Sequence, residues 1–187
     1  MRTCSTLVQP DAGQDRVDLR IYPDALVIAL SDGAGGTARG ARVAELVVDR
    51  LLCPDRDWDA LDEAAMRLGG QATGIWLHVD AEGIRGDSVG DSAAWLFRGD
   101  EAIELTARQQ RKPLIGDGCL PVSFQHAAID GATLVVASDG LWRYAKLADI
   151  AAIAQQHDAA RALSRLVELV RLPDRSLQDD VSIAIAR

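Results

Sequence analysis

The sequence predicts an α+β fold: an α-β-β-α sandwich of two antiparallel sheets packed face to face and flanked by helix pairs. Three observations predict it. Short apolar runs recur along the chain, many alternating with period two and each closed by Gly, Pro, Asp or Ser. Four stretches carry apolar residues at helical spacing, and they come in two pairs. The order is strands, two helices, many strands, two helices, one strand, and amphipathic helix pairs need a sheet face to cover. With 187 residues, the chain reads as a single domain spanning 1–187.

The elements follow in order. Cys4 to Val8 makes a short first strand, and Pro10-Asp11-Ala12-Gly13 a turn. Gln14-Asp15-Arg16 leads into a strand from Val17 to Tyr22, then Pro23-Asp24 turns into its hairpin partner, Ala25 to Ser31. Asp15 therefore enters one end of a hairpin whose far strand delivers Asp32. Thr37 can cap a helix whose apolar face is Ala38, Ala41, Val43, Ala44, Val47, Val48 and Leu51. A second helix runs from Trp58 to Leu68 and stops at Gly69-Gly70. A meander follows: Thr73–Val79, Ile84–Val89, Ala93–Arg98 and Ala102–Thr106. Ala107 to Leu120 has no clear period and reads as a loop, with Arg108, Arg111 and Lys112 as a basic cluster in an acidic chain. Two readings of that cluster stand: solvated surface, or attraction of an acidic phosphorylated segment. Val122–Ile129 and Ala132–Ser138 are strands, Lys146–Gln155 and Ala159–Val170 helices, and Val181–Ala186 the last strand.

Three apolar strands meet carboxylates at their ends. Leu26-Val27-Ile28-Ala29-Leu30 runs into Ser31-Asp32-Gly33-Ala34-Gly35-Gly36, and Leu134-Val135-Val136-Ala137 into Ser138-Asp139-Gly140. Asp179-Asp180 precedes Val181 to Ile185. Carboxylates at strand ends, far apart in sequence, can meet in space, and hard divalent cations such as Mg²⁺ or Mn²⁺ want oxygen-only ligation.

Composition excludes several classes. A net charge of −8 argues against nucleic acid and against an anionic membrane surface. Cys4, Cys53 and Cys119 are odd in number and widely spaced, so neither a disulfide framework nor a zinc site is expected. His78, His126 and His157 lie in no recognisable motif, which leaves Ser31, Ser92 and Ser138 without a base to make them nucleophiles. The first residues contain no apolar signal segment, and no apolar run approaches the roughly 20 residues of a spanning helix. The cytoplasm is the expected compartment.

Taken together, the motifs resemble the metal-dependent serine/threonine protein phosphatases of the PPM (PP2C) family, as a compact bacterial-type member. Gln14-Asp15-Arg16 is similar to the family's Asn-Glu-Asp or Asn-Gln-Asp element, and Asp32-Gly33-Ala34-Gly35-Gly36 to Asp-Gly-x-Gly-Gly. Gly90-Asp91-Ser92 resembles Gly-Asp-Ser, Ser138-Asp139-Gly140-Leu141-Trp142 resembles Ser-Asp-Gly-Leu-Trp, and Asp179-Asp180-Val181-Ser182 resembles the closing Asp-Asn/Asp-x-Ser/Thr. Each tripeptide alone is a common turn, but five in family order carry a specific signal.

The resemblance implies two Mg²⁺ or Mn²⁺ ions and a bridging water or hydroxide that attacks phosphorus. It casts Asp32 as the bridging ligand and the Gly33 carbonyl as a ligand of one ion. Asp139 and Asp180 hold the other, and Asp15 acts directly or through water. Asp32, Asp139 and Asp180 are thus the expected catalytic set. The implied partner is a phosphorylated protein, a serine/threonine kinase or its target, handled by a monomer.

Three departures shape the expectation. The family's phosphate-holding Arg is missing, because Pro10 and Asp11 occupy its region, and Arg16 or Arg39 is the expected substitute. Gln14 stands at a position that is often Glu. No carboxylate follows Leu105-Thr106, where the family often has Asp-His, so a third ion by that route is doubtful. Two readings compete with an active phosphatase: a weak or inactive PP2C-like module that binds a phosphoprotein, and a Mg²⁺-dependent nucleotide binder. The second lacks any glycine-rich phosphate loop with Lys.

Overall fold

The computed structural model describes residues 4–9, 13–35, 38–128, 130–156 and 158–187. The expected turn residues Pro10 to Ala12, Gly36, the Thr37 cap and His157 lie outside the described residues.

In chain order the elements are β1 (Cys4–Gln9), β2 (Arg16–Ile21), β3 (Leu26–Ser31), α1 (Ala38–Leu51) and α2 (Trp58–Leu68). Then come β4 (Gly74–Val79), β5 (Gly83–Val89), β6 (Ala93–Arg98), β7 (Glu101–Glu104), β8 (Val122–Ala127) and β9 (Thr133–Ala137). The remainder is α3 (Asp139–Trp142), α4 (Leu147–Ala154), α5 (Ala159–Val170) and β10 (Val181–Ala186). The strands form two five-stranded antiparallel sheets, in the orders β1-β10-β9-β6-β7 and β2-β3-β4-β5-β8.

Strand periodicity sorts the side chains into layers. On β9, Leu134 and Val136 enter the core between the sheets, while Val135 and Ala137 face α3, α4 and α5. On β3, Ile28 and Leu30 enter the same inter-sheet core, while Val27 and Ala29 meet α1 and α2. A strand covered on both faces must be apolar throughout, which is why β3 and β10 read as continuous apolar runs. Each fully buried Ile or Leu contributes about 1.5–3 kcal/mol. The strand that delivers Asp32 is therefore firmly held.

The helices start and stop on local chemistry. Asp57 accepts the Ala60 N–H at 3.0 Å to cap α2, and Gly69 ends it in the left-handed conformation at φ 69°. Asp158 caps α5 in the same way through Arg161. The buried face of α5, Ala159, Ala162, Leu163, Leu166, Val167 and Val170, is the one that the sequence spacing predicts; that of α1 holds Val43, Ala44, Val47, Val48 and Leu51 as predicted but starts at Gly40, since Ala38 is exposed and Ala41 half-buried.

Two differences from the sequence reading have physical causes. The short helix α3 was not expected: four residues are less than one repeat of the apolar pattern, and they contain Gly140. The segment from Ala107 to Leu120 lacks regular structure but is tied down. Ile115 bridges Ala72, and the Asp62 carboxylate on α2 accepts the N–H groups of Gly116, Gly118 and Cys119 at 2.7, 3.1 and 3.1 Å. Its anchors are tertiary, and a local pattern cannot announce them. Cys4, Cys53 and Cys119 are free thiols. Among the described residues, no helix is long and apolar enough to cross a membrane.

Candidate functional site

Both sheets aim their polar strand ends at one edge of the sandwich. There a cleft of about 400 Å³ is lined by Gln14, Asp32, Gly33, Asp91, Asp139, Asp179 and Asp180, with Thr73 and Leu114 beside them. Asp32 leaves β3, Asp91 sits between β5 and β6, Asp139 opens α3 after β9, and Asp179-Asp180 precede β10. The pairing of Arg16 with Ser31 sets Asp15 beside the end of β3, as the hairpin reading expects.

Backbone contacts fix these carboxylates. The Asp32 N–H donates to Thr73 Oγ1 at 2.9 Å, and its carbonyl accepts the Thr73 N–H at 2.8 Å. Thr73 Oγ1 lies 2.7 Å from Ser92 Oγ, and Ser31 Oγ donates to the Thr73 carbonyl at 2.7 Å. Ser31 and Ser92 thus brace Asp32 and show no sign of a nucleophile's setting. Ser138 Oγ accepts the Ser182 N–H at 2.9 Å, locking the end of β9 to the start of β10. Only glycine fits at 33: a Cβ there would come 2.6 Å from the Gly40 carbonyl, so the strand end and α1 touch backbone to backbone.

The carboxylates differ in what satisfies them. Asp180 accepts three backbone N–H groups, from Gly13, Gln14 and Asp15, and so pins the chain segment that carries Asp15. Asp139 is paired with Arg143 Nη1 at 2.6 Å and Asp91 with Arg111 Nη2 at 2.8 Å. Neither oxygen of the buried Asp15 has a hydrogen-bond partner. Burial first, and the charge of Asp180 next, push its carboxyl up to about 7, against the lowering pull of the nearby Ser138, Asp32 and Ser182 side chains. Burial and the charges of Asp15 and Asp139 push Asp32 to about 9. Burial and the charge of Asp91 also raise Asp139, while Arg143 pulls the other way. Burial and the neighbouring carboxylates thus favour the protonated forms of Asp15 and Asp32.

The structure thus brings together Asp15, Asp32, Gly33, Asp139 and Asp180. It does not bring in the two expected arginines. Arg16 Nη1 donates to the carbonyls of Gly13 and Asp15, and Arg39 runs along Gly69 at the end of α2. Sequence reasoning gave no site role to Asp179 or Arg143, and it named Arg111 only within the basic cluster of Arg108, Arg111 and Lys112. Asp179 lines the cleft and its charge raises Asp32 and Asp139. The doubled aspartate at 179-180 was the available signal: both line the cleft, Asp180 taking three backbone N–H groups and Asp179 only that of Asp180.

Hard divalent cations fit this donor set. It is all oxygen, and it includes the buried Asp15, both of whose carboxylate oxygens lack a hydrogen-bond partner. Among the described residues, no group of three or more Asp, Glu, His or Cys side chains is placed to hold a metal ion. The partners just described account for this, since Arg143, Arg111 and the backbone hold Asp139, Asp91 and Asp180.

No protein-family model matches the sequence, and no curated protein matches it. Solved structures do. The S. agalactiae serine/threonine phosphatase superposes with a TM-score of 0.79 at 22% identity, covering 98% of each chain. PppA, a regulatory component of T6SS in Pseudomonas aeruginosa, gives 0.80 at 16%, covering 98% of this chain and 96% of its own. The fold is that of the bacterial serine/threonine phosphatases. The Mycobacterium tuberculosis phosphatase PstP/Ppp shares it, with a TM-score of 0.73 at 18% identity over 98% of this chain and 97% of its own. The PP2C-like sandwich is common to all of them, as the sequence motifs imply.

Proposed function

We propose that this chain is a phosphoserine/phosphothreonine protein phosphatase of the PP2C type that works with Mn²⁺ or Mg²⁺ in the cytoplasm. One observation carries the reading. Carboxylates from both sheets face a single cleft, and behind the half-buried Asp32 the buried Asp15 has neither carboxylate oxygen hydrogen-bonded. Burying carboxylates without donors costs stability, and nothing in the fold of this sandwich requires it. Dication binding explains why they stand there.

Asp32, Asp139 and Asp179 are the side chains suited to hold the ions, with Asp15 beneath and the Gly33 carbonyl adjacent. Asp179 takes the role that the motif reading gave to Asp180, because three backbone donors already occupy the Asp180 carboxylate. When bound, such ions supply positive charge to a phosphoryl group and lower the pKa of water. The protein's own contribution is placement. Thr73, Ser31 and Ser92 fix the Asp32 backbone, and Asp180 fixes the segment bearing Gln14 and Asp15.

The test is hydrolysis of p-nitrophenyl phosphate and of a phosphoserine protein by purified chain, with and without Mn²⁺, alongside Mn²⁺ calorimetry. Hydrolysis that needs Mn²⁺ and disappears in Asp32→Asn supports the reading. Absence of Mn²⁺ binding sinks it. One observation favours the second reading, a non-catalytic phosphoprotein-binding module: Arg143 and Arg111 already neutralise Asp139 and Asp91. That module binds phosphoprotein without turning it over.

A further inference from the structure

A phosphate monoester carries close to two negative charges at neutral pH. The cleft it enters on the reading above presents five aspartates: Asp32, Asp91, Asp139, Asp179 and Asp180. Bound dications offset part of that charge. Binding a dianion there also calls for a protein cation that can leave its present partner and fork two oxygens.

Among the described residues, two guanidinium groups pair with a cleft carboxylate, and they are not equivalent. Arg143 stands one turn after Asp139, bonds it at 2.6 Å, and the Asp139 side chain is only 8% exposed. That pair is local and half-buried. Arg111 comes from the segment between β7 and β8 and is 68% exposed. Its Nε and Nη2 both bond a single oxygen, Oδ2 of Asp91, at 3.0 and 2.8 Å. Nη1 takes no part. Exposed ion pairs of this kind are weakly held and screened by salt.

The stem that presents Arg111 is fixed on both sides. Before it, Gln109 Nε2 donates to the Ser92 carbonyl at 2.7 Å. After it, Leu114 and Ile115 are buried, Ile115 bridges Ala72, and Asp62 takes three N–H groups. A rigid stem with a releasable head suits capture of a small anion. Arg108 differs: it donates to the Ser123 carbonyl, on the edge strand β8.

We propose that Arg111 is the residue that grips the substrate phosphate. It rests on Asp91 at the mouth of the cleft and moves to two terminal oxygens of a phosphate monoester as the substrate enters. The pocket then selects monoesters over diesters, because a fork on two unesterified oxygens leaves a monoester a third to face the ions and leaves a diester none. This rests on the phosphatase reading, and the experiment separates the two.

Wild type, Arg111→Ala, Arg111→Lys and Arg108→Ala are compared at saturating Mn²⁺. One readout is KM and kcat for p-nitrophenyl phosphate. The other, independent of turnover, is calorimetric titration of the Mn²⁺-loaded protein with inorganic phosphate. Arg111→Ala is expected to raise KM and the phosphate Kd about tenfold or more, with kcat within about twofold. Arg111→Lys recovers part of the loss, since it keeps the charge without the fork, and Arg108→Ala behaves as wild type. Unchanged KM and phosphate Kd in Arg111→Ala overturn the proposal, as does an equal loss in Arg108→Ala. If the wild type binds Mn²⁺ and hydrolyses nothing, the phosphatase reading falls, while the phosphate titration still decides Arg111.

Discussion

Two buried carboxylates in this molecule, Asp62 and Asp15, meet opposite fates. Asp62 on α2 is 7% exposed and Asp15 is 1% exposed, so burial alone does not separate them. Burial opposes the charge of Asp62, but the N–H groups of Cys119, Gly116 and Gly118 outweigh it and hold its carboxyl below the usual range. Asp15 has no such donors and is driven upward by burial and by Asp180. The difference teaches that donor supply decides whether a buried carboxylate is a structural clamp or a reserve of unmet charge. Asp180 belongs with Asp62 by this criterion, although it lies against the cleft.

The largest expected effect tests the reserve. Asp32→Asn keeps shape and removes charge, so Mn²⁺-dependent hydrolysis should fall by on the order of 10³-fold. The same variant without metal should melt higher than wild type. A metal-free melting point that falls instead would mean that Asp32 is not under charge strain.

Next come the adjacent aspartates. Asp179→Asn should weaken Mn²⁺ binding about a hundredfold. Asp180→Asn retains an acceptor oxygen for the backbone, so it should cost about 1 kcal/mol of stability and leave Mn²⁺ affinity within a few-fold. Calorimetry and urea melts read both, and equal affinity loss would put Asp180 back among the ligands.

Mn²⁺ at about a hundred times its Kd should add about 2.7 kcal/mol of stability to wild type, and much less to Asp32→Asn. The clamp predicts a loss of similar size by a different route. Asp62→Asn sets an amide against three N–H donors and should cost about 2–3 kcal/mol with Mn²⁺ binding unchanged.

The smallest effect is the pH profile. In the metal-free protein, Asp15 and Asp32 bind more protons folded than unfolded between the ordinary carboxyl range and about 9. Stability therefore falls as pH rises through that window. Asp62, held low, contributes stability above the ordinary carboxyl pKa and loses it as pH falls through its depressed one. The metal-free maximum should lie near about pH 5, and saturating Mn²⁺ should move it upward, because ions bind the deprotonated carboxylates. Urea titrations at several pH values check this, and a metal-free stability that rises steadily toward pH 9 would contradict it.

Much of this was legible in the sequence because it is periodic. The continuous apolar run of β9 and the helical spacing of α5 gave a covered strand and a covering helix, and the runs ending at Asp32 and Asp139 gave two site carboxylates. What the sequence hid is tertiary. No pattern reveals that Asp180 takes three backbone N–H groups while Asp179 takes only that of Asp180, since adjacent identical residues carry no directional mark. Nor does it reveal that Asp62 reaches Gly116, or that Arg111 reaches Asp91, since both contacts join elements far apart in the chain. Arg16 and Arg39 were named as substitutes for the missing phosphate-holding Arg, and the sequence does not show that Arg16 turns to the Gly13 and Asp15 carbonyls while Arg39 runs along Gly69.

The strand order has a consequence for biosynthesis. β1 finds its neighbour only in β10, from Cys4 against Ala186 to Gln9 against Val181. The ribosome makes β1 first and β10 last among the ten strands. The first strand therefore waits unpaired until nearly all the rest has emerged, and Asp179 arrives only then. Pairings of such long range are slow to form. A stalled or prematurely terminated chain holds Asp15, Asp32 and Asp139 yet lacks β10 to join β1 to β9, so the carboxylate cluster of the cleft cannot be complete on a half-made chain.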